Sequence, residues 1–148
     1  MATDTPSDSR IVFRPAKKSD LPTLGKLGAL LMRTHYNYDS ARFMAPLPNS
    51  EEGYAWFLGT QLTEPDVVVL VAERDGLVLG YVYAGLEPES WKELRGEAGF
   101  IHDVVVLEHA RRTGIATALI EAANTWLRER TTSDVVDGRT ERRCPALL

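Results

Sequence analysis

Two runs rich in β-branched and aromatic residues meet at Asp75-Gly76, with DVVVLVAER (66–74) before the pair and LVLGYVYAGLE (77–87) after it. A two-residue Asp-Gly link between such runs is a strong short-range signal for a β-hairpin, because the turn needs positive φ at both central residues. Any fold for this sequence must contain that antiparallel pair. The 148 residues suffice for one domain with a sizeable core and not for two ordinary ones.

The other elements follow from periodicity. RIVFRPA, from Arg10 to Ala16, alternates apolar and polar residues and is closed by Pro15, so it predicts a short strand. In SDLPTLGKLGALLMRTHY, Ser19 or Asp20 can cap, Pro22 suits a first turn, and Leu24, Leu27, Leu30 and Leu31 share one helical face. NYDSARFMAPLPNS carries two prolines and turn residues and predicts a loop. SEEGYAWFLGTQL has a cap-like Ser50, acids in its first turn, and Tyr54, Phe57, Leu58 and Leu62 at helical spacing. PESWKELRGEAG is a polar connection, and FIHDVVVLEH predicts another strand. GIATALIEAANTWLRER predicts a helix with an apolar stripe of Ile115, Leu119, Ala122, Ala123, Trp126 and Leu127 and basic residues at its end. The order β-α-α-β-β-β-α-(β) predicts a mixed α/β domain. Trp56, Trp91 and Trp126 each sit in an amphipathic pattern and are expected to pack in the core or between helices.

The join in VVVLEHARRTGIATAL is where chemistry is expected. A helix start has unpaired N–H groups and a partial positive charge. Gly114 and the small Ala116 allow a ligand close to the backbone, and Arg111 and Arg112 add charge. These features suit a phosphate or pyrophosphate; the plainer alternative is a tight turn with solvated arginines. The glycine patterns of a P-loop and of a dinucleotide-binding βαβ unit are absent.

Arg111-Arg112-Thr113-Gly114-Ile115-Ala116 resembles the R/Q-x-x-G-x-G/A motif of the GNAT superfamily of acyl-CoA-dependent N-acyltransferases. FIHDVVVLEHA is similar to that family's fourth strand, the next helix to its third helix, and IVFRPAKKSDLPTL to its first strand and helix start. Gly80 matches a glycine of its third strand in placement. The resemblance runs in order over roughly residues 10 to 136. It implies a GNAT-like mixed sheet flanked by helices, with acetyl-CoA as cofactor. It implies that amides around Arg111, Arg112, Thr113, Gly114, Ile115, Ala116 and Thr117 hold the pyrophosphate. The pantetheine arm would lie along the fourth strand like an added strand, on main-chain groups of Val104, Val105, Val106 and Leu107. A strand N–H would polarise the thioester carbonyl, and an acceptor amine would attack directly in a ternary complex.

That amine must lose a proton, and His102 and Asp103 are the candidate bases. On a regular strand they face opposite sides, so at most one faces the cleft; the family's use of an acid on this strand favours Asp103. Each also has a structural reading, His102 as a half-exposed strand residue and Asp103 as an acceptor for a neighbouring donor. THYNYDSARF, from Thr34 to Phe43, lies where the family places an acceptor-binding loop, and its His35, Tyr36, Tyr38 and Asp39 could shape an amine pocket.

The ends of the chain read differently. MATDTPSDSR lacks a secretory pattern and reads as a disordered polar tail over residues 1–9. From Asp137, DGRTERRCPALL has no apolar period, and the resemblance implies C-terminal strands and a fourth helix that this sequence lacks. Plausible codons for Asp137 to Ala146, read without their first base, spell MAERNAAAQR, a helix start of the family's kind. A truncated or frame-shifted member is the reading this supports, with an incomplete domain over residues 10–136 and an irregular tail over 137–148. Such a chain is expected to have an open strand edge, reduced stability, a tendency to form homodimers and weakened catalysis. The other class of function is a non-catalytic acyl-CoA-binding or oligomerisation module. The acceptor is expected to be a small-molecule or peptide amine. The formal charge of −4 disfavours nucleic acid as a partner, and no apolar run is long enough to span a membrane. The lone Cys144 allows neither an internal disulfide nor a multi-cysteine metal site, and a cytoplasmic location is expected.

Overall fold

A computed structural model describes residues 10–131 and the strand Val135–Asp137. The expected tail at 1–9 lies outside the described residues, and so does that at 137–148 except for Asp137, which ends the strand Val135–Asp137. The Asp75-Gly76 hairpin is the centre of the fold. Asp75 at φ +52° and Gly76 at φ +78° form the predicted turn, joining β2 (Val67–Arg74) to β3 (Leu77–Glu87). β1 (Val12–Pro15) pairs with β2, and β4 (Ala98–Val106) pairs with β3, all antiparallel. β5 (Val135–Asp137) joins β4 in parallel, so the sheet order is β1-β2-β3-β4-β5.

The side-chain alternation of the strands divides the core in two. Val68, Val82, Ala84 and Val106 point to one face, where Ile115, Leu119, Ala123 and Leu127 of α3 (Ile115–Arg128) cover them. These four helix residues are the buried part of the stripe read from sequence; Ala122 and Trp126 lie at its half-buried margin. Val69, Val71, Tyr81 and Val105 point to the other face, under α1 (Leu21–Tyr38) and α2 (Ser50–Gln61).

A charged clasp locks the entry to α1. A 3-10 turn at Lys18–Asp20 precedes the helix. The Asp20 carboxylate, 6% exposed, accepts two guanidinium N–H bonds from Arg14 of β1 at 2.8 and 2.9 Å and the backbone N–H of Lys17 at 2.8 Å. Arg14 also donates to Glu73 of β2 at 2.6 Å. The hydrogen bonds from Arg14 hold the Asp20 carboxyl below its ordinary pKa against the opposing effect of burial.

Two expectations need correction. α1 runs past its predicted end at Tyr36 to Tyr38, so Asn37 and Tyr38 leave the predicted loop and the first half of the Thr34–Phe43 stretch is helix. The helix stops only at Asp39, whose side chain takes the N–H groups of Ala41 and Arg42 in a turn that competes with helix. Trp56 and Trp91 are not core residues: they are 72% and 85% exposed. α2 buries Leu58 fully and little else, so its spacing overstates how much of its surface the fold covers.

Candidate functional site

The site begins with a register error in the sheet. Asp103 pairs with Tyr83 and Ile101 with Ala84, leaving His102 as an extra residue in β4. Such a bulge breaks the in-out alternation. Asp103 reaches the face under α1 and α2, where it accepts a 3.1 Å hydrogen bond from the hydroxyl of the fully buried Tyr81. His102 reaches the same face. Its ring lies 4.8 Å from that of Tyr83, which packs edge-on against Phe57 of α2 and donates a hydrogen bond to Gln61 at 2.9 Å. The expectation that His102 and Asp103 must diverge is therefore wrong, because it assumed an unbroken strand.

The surroundings treat the two residues differently. Burial raises the Asp103 carboxyl above its ordinary pKa, and the Tyr81 hydrogen bond and the nearby His102 and His35 only partly oppose this. His102 is bound on its outer side, with Nε2 3.1 Å from a Glu87 carboxylate oxygen. Tyr54 of α2 sits close enough for Asp103 to help push its phenol up to about 12, after the larger effect of burial. Helix packing delivers Tyr54 here. A Cβ at Gly28 of α1 would overlap its ring, so only glycine lets α2 lie this close. Tyr54 and Tyr81 escaped the sequence reading. A signal existed: YVY in β3 puts two phenols on one face of a largely aliphatic strand, opposite the HD of β4.

Among the described residues, the pairing of β5 with β4 covers Gly99 to Ile101, and beyond the bulge β4 has no paired strand on that side. The Leu107 N–H bonds the Leu79 carbonyl at 2.8 Å, which fixes the phase of the ladder. Alternation then turns the main-chain groups of Val105 toward β3 and those of Val104 and Val106 toward the open edge. The Val106 carbonyl accepts the Arg111 Nε–H at 3.0 Å. Of the four residues expected to pair with a ligand, Val105 and Leu107 are thus committed to β3. Val104 offers both groups and Val106 its N–H.

The open edge leads to the β4–α3 loop. Arg111 bonds the Glu108 carbonyl through its N–H, and Ala118 bonds the Gly114 carbonyl; between them, the amides of Arg112, Thr113, Gly114, Ile115, Ala116 and Thr117 have no protein partner among the described residues. Arg112 at φ +63° and Gly114 at φ +83° are both left-handed, a sequence of turns that gathers successive N–H groups into a concavity. A Cβ on Gly114 would meet nothing within 4 Å, so glycine is there for its φ and for open space. The arrangement fits a diphosphate: exposed donors, a helix N-terminus and Arg112 exposed alongside. Arg111 is turned back onto β4 and serves the loop's shape as well as its charge.

His35 and Phe43 stack at 4.7 Å across the end of α1, while Tyr38 is 86% exposed. Only part of the Thr34–Phe43 stretch therefore approaches Asp103. Among the described residues, no helix is long and apolar enough to cross a membrane.

The family model described as acetyltransferase (GNAT) family matches residues 30–140. An aminoglycoside N(6')-acetyltransferase type 1 from Klebsiella aerogenes is 32% identical over 76 residues, covering 51% of this chain and 50% of that protein. An N-alpha-acetyltransferase from Sulfurisphaera tokodaii is 28% identical over 121 residues, covering 79% of this chain and 62% of that protein. The chain thus spans between half and under two thirds of the curated relatives it matches. An aminoglycoside N-acetyltransferase solved with CoA superposes with a TM-score of 0.70 at 18% identity, covering 93% of this chain and 82% of that one.

Proposed function

Since the chain belongs to the acetyltransferase (GNAT) family, we propose that it is an acetyl-CoA-dependent N-acetyltransferase whose acceptor is a primary amine on a small molecule or peptide. The observation that carries this reading is the bulge at His102. It brings His102 onto the α1/α2 face beside Asp103, next to strand groups and loop amides that have no partners among the described residues. The names of the relatives, which act on an aminoglycoside and on N-alpha amines, support acetyl transfer to nitrogen.

The cofactor supplies an acyl group activated as a thioester. In this proposal the amides of Arg112 to Thr117 hold its diphosphate, and the edge groups of Val104 and Val106 align its amide-bearing arm. Asp103, with its raised pKa, accepts the proton of the incoming ammonium more readily than an ordinary carboxylate would. Tyr81 donates to one Asp103 oxygen and leaves the other for the amine. His102, held by Glu87, flanks the acceptor entrance.

The test follows release of free CoA thiol from acetyl-CoA in the presence of a panel of aminoglycosides and N-terminal peptides. Amine-dependent release is expected. Tight binding of acetyl-CoA with no turnover across the panel would instead support a non-catalytic acyl-CoA-binding module.

A further inference from the structure

A second set of cations lies away from the β4–α3 loop. The face of α1 that looks toward the β2–β3 hairpin borders a cleft of about 630 Å³. Its inner surface is apolar, from Leu27 and Leu30 of α1, Val78 of β3 and Leu107 after β4. Its rim is basic, from Lys17, Lys26, Arg33 and His109.

Carboxylates also border this rim: Asp20 and Glu73 line the cleft, and Glu51 and Glu52 share an adjoining groove with Arg33. The Arg14–Asp20–Glu73 clasp forms one wall, and there the carboxylates are already engaged by Arg14. α1 contains no acidic residue over its 18 positions, so Lys26 and Arg33 have no intrahelical partner at i±3 or i±4. Among the described residues, neither side chain makes an ion pair. The chain as a whole carries −4, so a general basic surplus does not explain the cluster. Lys26, Leu30 and Arg33 recur at helical spacing, which places two cations on either side of an apolar side chain along one stripe. Low-dielectric walls beneath like charges strengthen the field that a bound anion would feel.

We propose that this cleft is a second anion site, which takes a carboxylate, phosphate or sulfonate carried on an apolar body. The body lies over Leu30, Val78 and Leu107, and the anionic group meets Lys26 and Arg33. His109 lies in the short turn Glu108–Ala110 that leads into the amides of the β4–α3 loop, so a ligand here borders that loop without sharing its donors. The site stands or falls independently of acetyl transfer.

Binding is measured on the full chain with 1-anilinonaphthalene-8-sulfonate, an anion on an apolar body, by fluorescence titration. The double charge reversal K26E/R33E is expected to weaken binding about tenfold, and the neutral pair K26Q/R33Q by less. Both positions are exposed helix surface, and circular dichroism checks that the fold survives. K26R/R33K should bind as the parent does. Raising salt from about 50 to about 300 mM should weaken the parent more than the reversed variant. Equal affinity of the parent and K26E/R33E at low salt overturns the proposal. Titrations with CoA and 3'-dephospho-CoA identify the source of the anion. Loss of CoA affinity in K26E/R33E, with 3'-dephospho-CoA unaffected, makes the cleft part of the cofactor site and overturns a separate second site. Unchanged affinity for both, with the fluorescent anion bound alongside, assigns the cleft to a separate ligand.

Discussion

The same strands build two unlike faces. Toward α3 they present Val68, Val82, Ala84 and Val106, and the helix answers with Ile115, Leu119, Ala123 and Leu127. That interface is aliphatic, and its stabilisation comes from area removed from water and close packing. Toward α1 and α2 the strands also present Tyr81, Tyr83 and Asp103. A carboxylate there is held by one phenol and is pushed toward its neutral form. Nothing about folding requires that arrangement, since a valine would bury better than an ionised aspartate. Both faces hold a buried core, and the contrast supports the proposal that the α1/α2 face also carries the base.

Asp103→Asn gives the largest contrast. Amine-dependent turnover should fall by about 100-fold to 10,000-fold, the usual contribution of a positioned base. Stability should move the other way. The raised pKa means that ionising the aspartate costs stability, in full above the folded pKa and progressively less down to the unfolded carboxylate value of about 4. Melting temperature should therefore rise in the variant above the folded pKa, with the gain shrinking below it and vanishing near the unfolded value. A variant that is both inactive and less stable at every pH would make Asp103 a structural residue and erase the distinction between the faces.

Leu119→Ala addresses the other face. The side chain is fully buried, and its truncation should cost about 2 to 5 kcal/mol in a urea titration. Turnover per folded molecule at saturating acetyl-CoA should stay within about twofold, because the proposed base Asp103 lies across the sheet from Leu119. A loss of turnover as large as that of Asp103→Asn would show that the two faces are not separable.

Asp20→Asn probes the clasp, whose charge serves structure and not chemistry. Breaking a largely buried pair from one side should cost about 3 kcal/mol, somewhat reduced by the remaining contact between Arg14 and Glu73. The depressed Asp20 pKa fixes the pH window. Its stabilisation is full above the unfolded carboxylate value of about 4 and is lost as pH falls through the lower folded value. The variant's stability should therefore converge on the parent's in acid. A constant gap down to pH 2 would assign the cost to packing.

Much of this was legible in the sequence. Asp75-Gly76 between two β-branched runs specified the hairpin, and the spacing of Ile115, Leu119, Ala123 and Leu127 specified the face of α3. Arg111 to Ala116 marked the loop where amides lack partners. Each of these depends on neighbours within a few positions, where local stereochemistry is decisive. α2 illustrates the boundary: its spacing suggested an apolar face, yet Trp56 is exposed because none of the described elements lies over it.

What the chain's own letters determined, then, was the hairpin, the helices and the loop that ends in Gly114. Tertiary structure alone decided that His102 would be the extra residue in β4, and so that His102 and Asp103 would share a face with Tyr81 and Tyr83. It also decided that Val104 and Val106, rather than Val105 and Leu107, would keep main-chain groups for an open edge. The physical reason is register. A strand's sequence states which residues alternate, but only pairing with a neighbouring strand states where the alternation slips.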